Sequence, residues 1–399
     1  MTEMETVDVV VVGGGPSGAT AAADLARAGH SVVLLGRAGR IKPCGGAIPP
    51  RLMKDFAVPD SVLVGHAKAA RMIAPSDRAV DMPIEGGFVG MVDRGAFDEW
   101  LRERAAAAGA QRQTGTYEAI ETDPDGTTVV VFRPKGAARH DALQRLRTRS
   151  VIGADGARSG VARHALKGAE RIPCVFAYHE TIATPQDAAF DRERCDIYYQ
   201  GKLSPDFYAW IFPHGDTTSV GVGSANKGFS LKDAVATLRA DTGLDGCETI
   251  RREGAPIPLK PLKKWDNGRN IVVAGDAAGV VAPASGEGIY YAMTAGRYAA
   301  DAVHDFLATG NPKALAAARR RFMKAHGRVF WILGMMQYFW YSSDKRRERF
   351  VTICDDADVQ RLTWQAYMNK ELVRADPIAH ARIFLKDLGH LFGIGTTVT

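Results

Sequence analysis

A β-branched apolar run at Val7–Val12 leads directly into a glycine-rich turn, and this junction constrains the fold more than any other feature of the chain. The run predicts a buried parallel strand. After the turn Gly13–Gly18, an alanine-rich stretch over 19–28 predicts a helix that Gly29 ends, and Ser31–Leu35 predicts a second buried strand. A strand, a glycine turn, a helix and a strand in this order form a βαβ unit.

The turn has the sequence Gly13-Gly14-Gly15-Pro16-Ser17-Gly18. It matches the pattern GxGxxG between a strand and a helix, which is the context that dinucleotide binding requires. In that pattern Gly13 permits the tight turn, Gly15 lets a pyrophosphate approach the backbone, and Gly18 lets the helix pack closely on the strand. Pro16 and Ser17 begin the helix, whose N–H groups and dipole would hold the phosphates. The alternative is a strand–helix turn that is rich in glycine but binds nothing.

The end of the second strand departs from the dinucleotide pattern. An acidic residue is expected about 20 residues after the glycines, where it holds the ribose hydroxyls. Here Leu35 is followed by Gly36 and Arg37. Gly36 has no side chain for that contact, so Arg37 or Arg40 is expected to face the adenine or a phosphate, and the ribose contact stays open.

A later segment, Ile271–Gly279, predicts a buried strand that delivers Gly275 and Asp276 into a turn of small residues. It looks like the flavoprotein segment whose aspartate binds the ribityl chain, although a helix-capping Asp explains the residue equally well when taken alone. Gly286, Gly288 and Ile289 follow near a predicted helix start. Their N–H groups and the helix dipole would stabilise an anionic reduced flavin.

A third segment, Gly153–Ser159, ends another buried strand with Asp155 and Gly156. It resembles the second fingerprint of flavoproteins that also use NAD(P)H. Three motifs in this order are far less expected by chance than any one of them. Together they predict FAD as the cofactor, with Asp155 and Gly156 at its site and NADPH as the expected reductant.

The motif order resembles the p-hydroxybenzoate hydroxylase superfamily, which includes aromatic hydroxylases, halogenases and prenyl reductases. The resemblance implies an α/β fold of two domains, in which a Rossmann-like FAD-binding domain carries a β-rich substrate-domain insert and a helical C-terminal region follows. Arg94 precedes a predicted helix at Phe97–Ala108 and matches the position of a flavin-contacting side chain. A solvated cation before a helix is the alternative.

The predicted domain boundaries follow from these patterns. The FAD-binding domain is expected in residues 1–165 together with 265–310, the substrate domain in 166–264, and the helical region in 311–399. Within the substrate domain, the predicted strands include Ile197–Tyr199, Phe207–Phe212 and Ser219–Val222. Short strands are expected from about 114 to 149, and helical patterns run over 286–308 and from 312 to near 390.

Two further segments resemble geranylgeranyl reductases, and the resemblance extends over nearly the whole chain. Lys42–Arg51, with the sequence KPCGGAIPPR, is similar to their Cys-Gly-Gly loop, which implies that Cys44 and Gly45 lie at the cofactor. Tyr208–Pro213, with the sequence YAWIFP, is followed by Gly221 and matches their YxWxFP…GxG substrate motif.

Alternation along a strand places the aromatic side chains of this motif, Tyr208, Trp210 and Phe212, on one face. Three aromatics in a row suit a slot for an alkenyl chain. The resemblance therefore implies that they bind substrate together with Pro213 and Gly221. Ordinary core packing is the alternative explanation of such a row.

The resemblance is strongest to the reductases of (bacterio)chlorophyll synthesis. It implies NADPH-driven saturation of three of the four double bonds of a geranylgeranyl group, which gives phytyl, in bacteriochlorophyll biosynthesis for photosynthesis. The substrate would be geranylgeranyl-bacteriochlorophyll or geranylgeranyl diphosphate. The alternatives are a reductase of isoprenoid ether lipids or quinone side chains, a flavin monooxygenase or halogenase, and a non-catalytic, flavin-bound binding or chaperone protein for prenylated pigments.

An isolated alkene lacks a carbonyl that could polarise it, so its reduction needs a proton donor opposite the hydride donor. Cys44 and Tyr208 are the candidate catalytic residues, and Tyr290 and Tyr291 after the flavin loop are further candidates. The alternative for Cys44 is a small buried hydrophobe, which is common for a free cysteine.

Composition excludes several classes of protein. The net charge of +6 is spread thinly, without a Lys/Arg block, so nucleic-acid binding is not expected. The five cysteines are far apart and form no CxxC pair, which argues against a disulfide framework and a metal site. An acidic N-terminus that enters a strand within a few residues is unlike a secretory signal. A cytoplasmic protein is expected.

The apolar stretch Val329–Tyr341 is too short to span a bilayer, which needs about 20 apolar residues. It is apolar around most of a helix circumference, so we expect it to form a buried core or the wall of a substrate tunnel. Lys345-Arg346-Arg347 follows it and would suit anionic headgroups, so peripheral contact with the inner or photosynthetic membrane is a second hypothesis.

Overall fold

The structure is a computed structural model that describes residues 6–37, 39, 41–138 and 140–370. The described residues form strands β1 (Thr6–Val12), β2 (Val32–Gly36), β3 (Ala47–Ile48), β4 (Gly65–Ala67), β5 (Ala69–Ile73), β6 (Ala79–Pro83), β7 (Val89–Met91), β8 (Gln111–Thr122), β9 (Thr128–Pro134), β10 (Gln144–Gly153), β11 (Cys174–Ala183), β12 (Arg194–Tyr198), β13 (Ala209–His214), β14 (Thr217–Ser224), β15 (Thr249–Pro258) and β16 (Ile271–Val273).

The same residues form helices α1 (Pro16–Arg27), α2 (Pro50–Asp55), α3 (Arg94–Ala107), α4 (Gly160–Ala165), α5 (Leu231–Asp241), α6 (Ile289–Thr309), α7 (Ala317–Trp340), α8 (Asp344–Ile353) and α9 (Ala357–Asn369). Short 3₁₀ turns connect some of these elements. No helix in the described ranges is long and apolar enough to cross a membrane.

The described chain divides into two compact units. The first comprises the chain up to Cys44, Arg94–Val175 and Pro256–Gly334. The second comprises Gly45–Asp93, Phe176–Ala255 and the chain from Met335 onward. The predicted boundaries differ, because they place residues 45–93 in the FAD-binding domain. In the structure β5 pairs with β12, which explains why this stretch belongs to the second unit.

In the first unit, β8, β2, β1, β10 and β16 lie side by side in parallel, as a doubly wound sheet requires. β9 pairs antiparallel with both β8 and β10. The register aligns the carboxyl ends of three strands, since Val12 lies opposite Gly153 and Gly153 lies opposite Val273. The turns that follow β1, β10 and β16 therefore share one edge of the sheet, where open α/β sheets bind ligands.

In the second unit, seven strands form a mostly antiparallel sheet in the order β15-β11-β14-β13-β12-β5-β6. Alternation along β13 sends Ala209 and Ile211 to one face, where they join a core with Val235 and Leu238 of α5. Tyr208, Trp210 and Phe212 have the opposite parity. A small sheet of β3, β7 and β4 also belongs to this unit.

Several local predictions need correction. The β-rich insert contains a helix, α5, which begins after the capping residue Ser230. The region predicted as short strands contains the 12-residue β8, because its pairing with β2 and then β9 keeps it extended. Arg94 is the first residue of α3 and does not precede it. The predicted helix beyond residue 370, and Arg40, lie outside the described residues.

Candidate functional site

The glycine turn after β1 is built around two very close backbone approaches. A Cβ on Gly18 would lie 1.8 Å from the Gly13 carbonyl oxygen, and one on Gly13 would lie 2.2 Å from the Ala154 carbonyl oxygen. Gly13 also has a positive φ of 111°. By contrast, nothing lies within 4 Å of where a Cβ on Gly15 would stand. The turn is therefore tightly packed at its base and open at Gly15, as phosphate binding requires.

Ser17 lies where α1 crosses the turn after β16. A Cβ on Gly275 would stand 2.8 Å from the Ser17 Cβ, and one on Gly296 of α6 would stand 2.2 Å from the Ser17 carbonyl oxygen. Among the described residues, the buried Ser17 hydroxyl has no hydrogen-bond partner. A buried hydroxyl without a partner costs stability unless a ligand satisfies it. Gly296 was not predicted, because a helical glycine carries no local signal of a close crossing.

Asp276 follows β16 and pairs with Lys42. The Lys42 ammonium donates to Oδ2 of the Asp276 carboxylate, whose side chain is nearly buried. The pKa of the nearby Cys174 thiol is raised, chiefly by burial and further by the negative charge of Asp276. Sequence reasoning included Lys42 only as part of the Cys-Gly-Gly segment. Its partner could not be read from the sequence, since the two residues are 234 positions apart.

Arg94 is buried and holds a bidentate ion pair with Asp98, one turn further along α3. Its Nε and Nη2 atoms donate to the two carboxylate oxygens over 3.0 and 2.9 Å. The Cys44 sulfur also accepts a hydrogen bond from this guanidinium. Burial by itself lowers the pKa of Arg94, but the Asp98 carboxylate and Cys44 outweigh it and raise that pKa. The structure thus brings the predicted residues Cys44 and Arg94 together.

Asp155 turns its carboxylate toward the protein. Oδ2 accepts from the Gly160 and Val161 amides over 2.6 and 3.2 Å, and Oδ1 accepts from the Ser159 hydroxyl. Burial raises the pKa of Asp155 despite these hydrogen bonds. Its side chain therefore organises the start of α4. Gly156, with a φ of 88°, leaves open space at the edge of the sheet.

At the end of β2, Gly36 stands where an acidic residue was expected, and an arginine of α3 lies beside the glycine turn. Gly36 approaches the Gly14 backbone, and the Arg37 side chain is exposed. The guanidinium of Arg102, on α3, donates to the Gly14 carbonyl over 3.1 Å. Arg102 was not predicted. Its position eight residues after Arg94, on a similar side of the same helix, is the signal that could have identified it.

The turn before α6 contains Gly286, in a left-handed conformation, and Gly288, which caps the helix. Ile289 is the first helical residue, and the Tyr290 amide donates to the Glu287 carboxylate over 2.9 Å. Glu287, an acidic residue that the sequence analysis did not single out, therefore lies just before α6 and accepts from an amide of its first turn. Tyr290 and Tyr291 are buried.

Tyr291 packs its ring 5.0 Å from Phe330, centroid to centroid, and burial raises the pKa of its phenol. This surrounding is a hydrophobic core of the first unit. The structure therefore accounts for Tyr291 as a packing residue.

The first unit fits FAD. The unpaired Ser17 hydroxyl, the open space at Gly15 and the glycines that a Cβ would block are what a bound pyrophosphate requires. Asp276 and Lys42 form a polar pair at the same edge of the sheet.

In the second unit, the predicted aromatic residues form a row, in which Tyr208 immediately precedes β13 and Trp210 and Phe212 lie on it. Ring centroids lie 6.0 Å apart between Tyr208 and Trp210 and 6.2 Å apart between Trp210 and Phe212. The Phe212 ring covers Gly45, since a Cβ there would stand 3.1 Å from the Phe212 Cδ2. Tyr199 lies 6.1 Å from Tyr208 by the same measure. The Cys-Gly-Gly loop and the YxWxFP motif thus meet at Gly45 and Phe212.

Two further residues explain how the loop and the motif fit together. A Cβ on Gly46 would stand 2.5 Å from Nε2 of His214, and Nδ1 of His214 lies 2.8 Å from the Phe212 carbonyl. Burial lowers the pKa of His214. Pro213, which lies between Phe212 and His214 in the sequence, is buried and stands opposite Thr218 on β14. Gly221 lies directly opposite Trp210.

Comparison with known proteins identifies the family. The sequence pattern of the FAD binding domain matches residues 6–325. The chain is 58% identical over 388 residues to the geranylgeranyl diphosphate reductase of Rhodobacter capsulatus, covering 97% of this chain and 98% of that protein. The chain belongs to the geranylgeranyl reductase family.

A chloroplastic geranylgeranyl diphosphate reductase of Oryza sativa is 36% identical, with 96% of this chain and 86% of that protein covered. Among solved structures, a geranylgeranyl bacteriochlorophyll reductase-like protein of Thermoplasma acidophilum superposes with a TM-score of 0.81 at 23% identity, covering 97% of this chain and 100% of that one. The predicted family and the predicted fold class are confirmed, and the FAD-binding domain supports FAD as the cofactor of this geranylgeranyl reductase family member.

The expectation that Val329–Tyr341 forms a buried core holds for only part of the segment. Trp331, Met335 and Tyr338 of α7 are 64%, 45% and 85% exposed, whereas Phe330 and Tyr341 are buried. The three exposed residues follow helical spacing and share one side of α7. An apolar circumference cannot reveal which side a neighbouring element covers, so only the tertiary structure distinguishes the two sides.

Proposed function

We propose that this chain is an FAD-dependent enzyme that reduces the geranylgeranyl group of geranylgeranyl-bacteriochlorophyll, or of geranylgeranyl diphosphate, to phytyl with NADPH. The observation that carries the proposal is the row Tyr208–Trp210–Phe212, packed against Gly45 of the Cys-Gly-Gly loop. Three adjacent aromatic rings offer a long apolar surface to an alkenyl chain. Membership of the geranylgeranyl reductase family supports this reading.

Residues of the first unit would hold the cofactor. In the proposal, the pyrophosphate reaches the start of α1 because the turn contains Gly13, Gly15 and Gly18. The Ser17 hydroxyl would form a hydrogen bond with the cofactor. Asp276, oriented by Lys42, would accept from ribityl hydroxyls. A bound FAD supplies the redox chemistry, which is the transfer of a hydride equivalent from NADPH.

Each saturated double bond gains one hydride equivalent and one proton, while NADPH becomes NADP⁺. The chain must therefore orient the alkene and hold a proton within reach of it. Cys44 and Tyr208 remain the proposed donors, through Sγ and Oη. Arg94 would keep the Cys44 sulfur oriented, and Tyr199 would pack the Tyr208 ring in place.

The test is an anaerobic incubation of FAD-loaded protein with NADPH and geranylgeranyl-bacteriochlorophyll, followed by mass spectrometry of the tail. Successive gains of two hydrogens support the proposal. A parallel incubation with geranylgeranyl diphosphate decides the head group. Unchanged tails with both substrates, together with NADPH consumption that depends on oxygen, would instead indicate a monooxygenase.

Variants then separate the two proposed proton donors. Tyr208→Phe keeps the ring and removes only the hydroxyl, and Cys44→Ala removes the thiol. The variant that removes the true proton donor is expected to have a kcat lower by about 10²-fold or more, because a positioned acid usually contributes that much. If both variants keep wild-type kcat, neither residue delivers the proton.

We also propose that the exposed side of α7 contacts the membrane that holds the prenylated substrate. Trp331, Met335 and Tyr338 present apolar and interfacial side chains, and Lys345 and Arg346 follow on α8. In a flotation assay with anionic vesicles, wild-type protein should float and a Trp331→Ser/Tyr338→Ser variant should remain at the bottom. Equal flotation of both would exclude this surface.

A further inference from the structure

Four neighbouring strands of the seven-stranded sheet contribute to a row of residues beside Trp210. Gly221 on β14 lies directly between Trp210 on β13 and His179 on β11. Ser219 is two positions before Gly221 and therefore points to the same face. Glu253 comes from β15, the strand next to β11. These residues are far apart in sequence, and only the strand order brings them into one line.

Their polar atoms are within reach of one another. The indole nitrogen of Trp210 donates to the Ser219 hydroxyl over 3.0 Å, and that hydroxyl lies 2.9 Å from Nδ1 of His179. Nε2 of His179 lies 3.2 Å from a Glu253 carboxylate oxygen, which is ion-pair distance without the geometry of a hydrogen bond. Trp210, Ser219 and His179 are all at least 95% buried.

With a neutral imidazole, the chemistry of these groups gives one direction of donation. An indole N–H can only donate and a carboxylate can only accept. Glu253 therefore requires a proton on Nε2 of His179, which leaves Nδ1 of a neutral ring as an acceptor. The Ser219 hydroxyl accepts from Trp210 and donates to that nitrogen. Trp210 and Ser219 then each donate one hydrogen bond, and the Nε2 atom of His179 faces the Glu253 carboxylate at ion-pair distance.

The Trp210 indole packs directly against the backbone of Gly221. A Cβ at this position would stand 2.2 Å from Cζ2 of Trp210 and 2.6 Å from Cβ of His179. The indole therefore occupies the space that any side chain at 221 would fill. The torsion that turns an aromatic ring is intrinsically broad, so a single orientation requires specific contacts, and the hydrogen bond to Ser219 is one of them.

We propose that Ser219, His179 and Glu253 are positioning residues that hold the Trp210 indole in one orientation for the prenyl chain. The inference rests on the proposed function, in which Trp210 lines the substrate site. Rings of Tyr208 and Phe212 flank the indole. A rotated indole would interrupt the row of aromatic rings and shorten the apolar surface available to the prenyl group.

The order of residues is that of a hydrolase triad, but the geometry argues for positioning. Ser219 lies within a regular strand, is 4% exposed and already accepts from Trp210. A nucleophilic serine needs an accessible hydroxyl beside an oxyanion site. Ser219 has neither the exposure nor a free approach, so acyl transfer is not its chemistry.

The first experiment observes the hydrogen bond without any substrate. The chain has six tryptophans, so ¹⁵N-indole labelling gives six N–H resonances, and Trp210→Phe identifies that of Trp210. Ser219→Ala and His179→Gln should both shift this resonance and speed its exchange with solvent. The matched control is Thr218→Val, which removes a neighbouring buried hydroxyl that bonds Thr184 on the other face. An unchanged Trp210 resonance in both test variants would overturn the inference.

The second experiment measures substrate use. Losing one hydrogen bond is expected to raise KM for the geranylgeranyl substrate about five-fold in Ser219→Ala, with a smaller change in kcat. Ser219→Thr, which keeps a hydroxyl, should restore most of the affinity, and Thr218→Val should behave as wild type. In a Trp210→Phe background the effect of Ser219→Ala should vanish, because its partner is gone.

The two hypotheses can fail separately. If wild-type protein reduces no prenyl substrate, the proposed function fails, and the indole resonances still report on the hydrogen-bonded chain. If wild-type protein turns over substrate but KM is unchanged in Ser219→Ala, the proposed function stands and the positioning role is wrong.

Discussion

Lys42 and Asp276 form an ion pair whose two members differ sharply in exposure. The Asp276 side chain is 5% exposed and that of Lys42 is 39% exposed. The carboxylate therefore relies on Lys42 for charge compensation, while the ammonium keeps part of its hydration. This pair joins the Cys-Gly-Gly segment to the turn after β16, and it gives the proposed ribityl ligand a defined orientation.

Replacing Lys42 by Met should weaken FAD binding. Hydrogen bonds to charged groups contribute about 1.5–3 kcal/mol, so we expect the Kd for FAD to rise by about ten-fold or more. Quenching of flavin fluorescence on titration measures it. Lys202→Met is the control, because the Lys202–Asp241 pair is exposed on both sides and distant in sequence from the glycine turns. Equal Kd values for Lys42→Met and wild type would show that the pair does not prepare the site.

Two glycines of the same turn should respond differently to alanine. Gly18→Ala places a Cβ 1.8 Å from a backbone oxygen, so the helix must move and thermal stability should fall. Gly15→Ala meets no atom within 4 Å and has an ordinary φ of −83°, so the fold should persist. Its methyl group would instead obstruct the pyrophosphate. The expected result is a wild-type Tm for apo Gly15→Ala with poor FAD loading, and loss of both properties in Gly18→Ala.

The Arg94–Asp98 pair predicts a large stability effect. Asp98→Asn would leave a buried guanidinium without its carboxylate, and breaking a buried ion pair in this way costs about 3–5 kcal/mol. The free energy of unfolding in urea measures the change. Asp241→Asn, which breaks an exposed pair, should cost about 1 kcal/mol or less. Similar losses for the two variants would contradict the interpretation of Arg94 as a cation that depends on Asp98.

Glu180 predicts how stability depends on pH. Burial raises its pKa, but hydrogen bonds from Tyr178, Arg239 and Arg252 outweigh burial and lower that pKa below the usual 4.5. A carboxyl with a lowered folded pKa adds stability above its unfolded pKa and loses that contribution as pH falls through the folded value.

Wild-type protein should therefore be more stable than Glu180→Gln near neutral pH, and the difference should shrink as the pH drops below 4.5. Urea unfolding of both proteins from about pH 7 to about pH 3 measures this difference. Because the other carboxyls titrate in both proteins, only the difference reports on Glu180. A constant gap across that range would show that Glu180 does not titrate differently in the folded state.

The local sequence determined the first unit's architecture well. Buried strands that end in glycine turns predicted β1, β10 and β16, and the structure places the carboxyl ends of these strands side by side. Alternation likewise placed Tyr208, Trp210 and Phe212 on one face. These properties depend on the periodicity of side chains along the chain and on glycine's lack of a side chain. Both can be read from residues that are close in sequence.

Only the tertiary structure decided which distant groups meet. Lys42 with Asp276, Arg102 with Gly14, and the chain from Trp210 to Glu253 depend on strand order and register. It also decided that Trp331 and Tyr338 face solvent, because an apolar helix shows no sidedness of its own. Periodicity specifies the face on which a side chain lies, whereas its partner is whichever residue the folded sheet brings opposite, and no local signal carries that information.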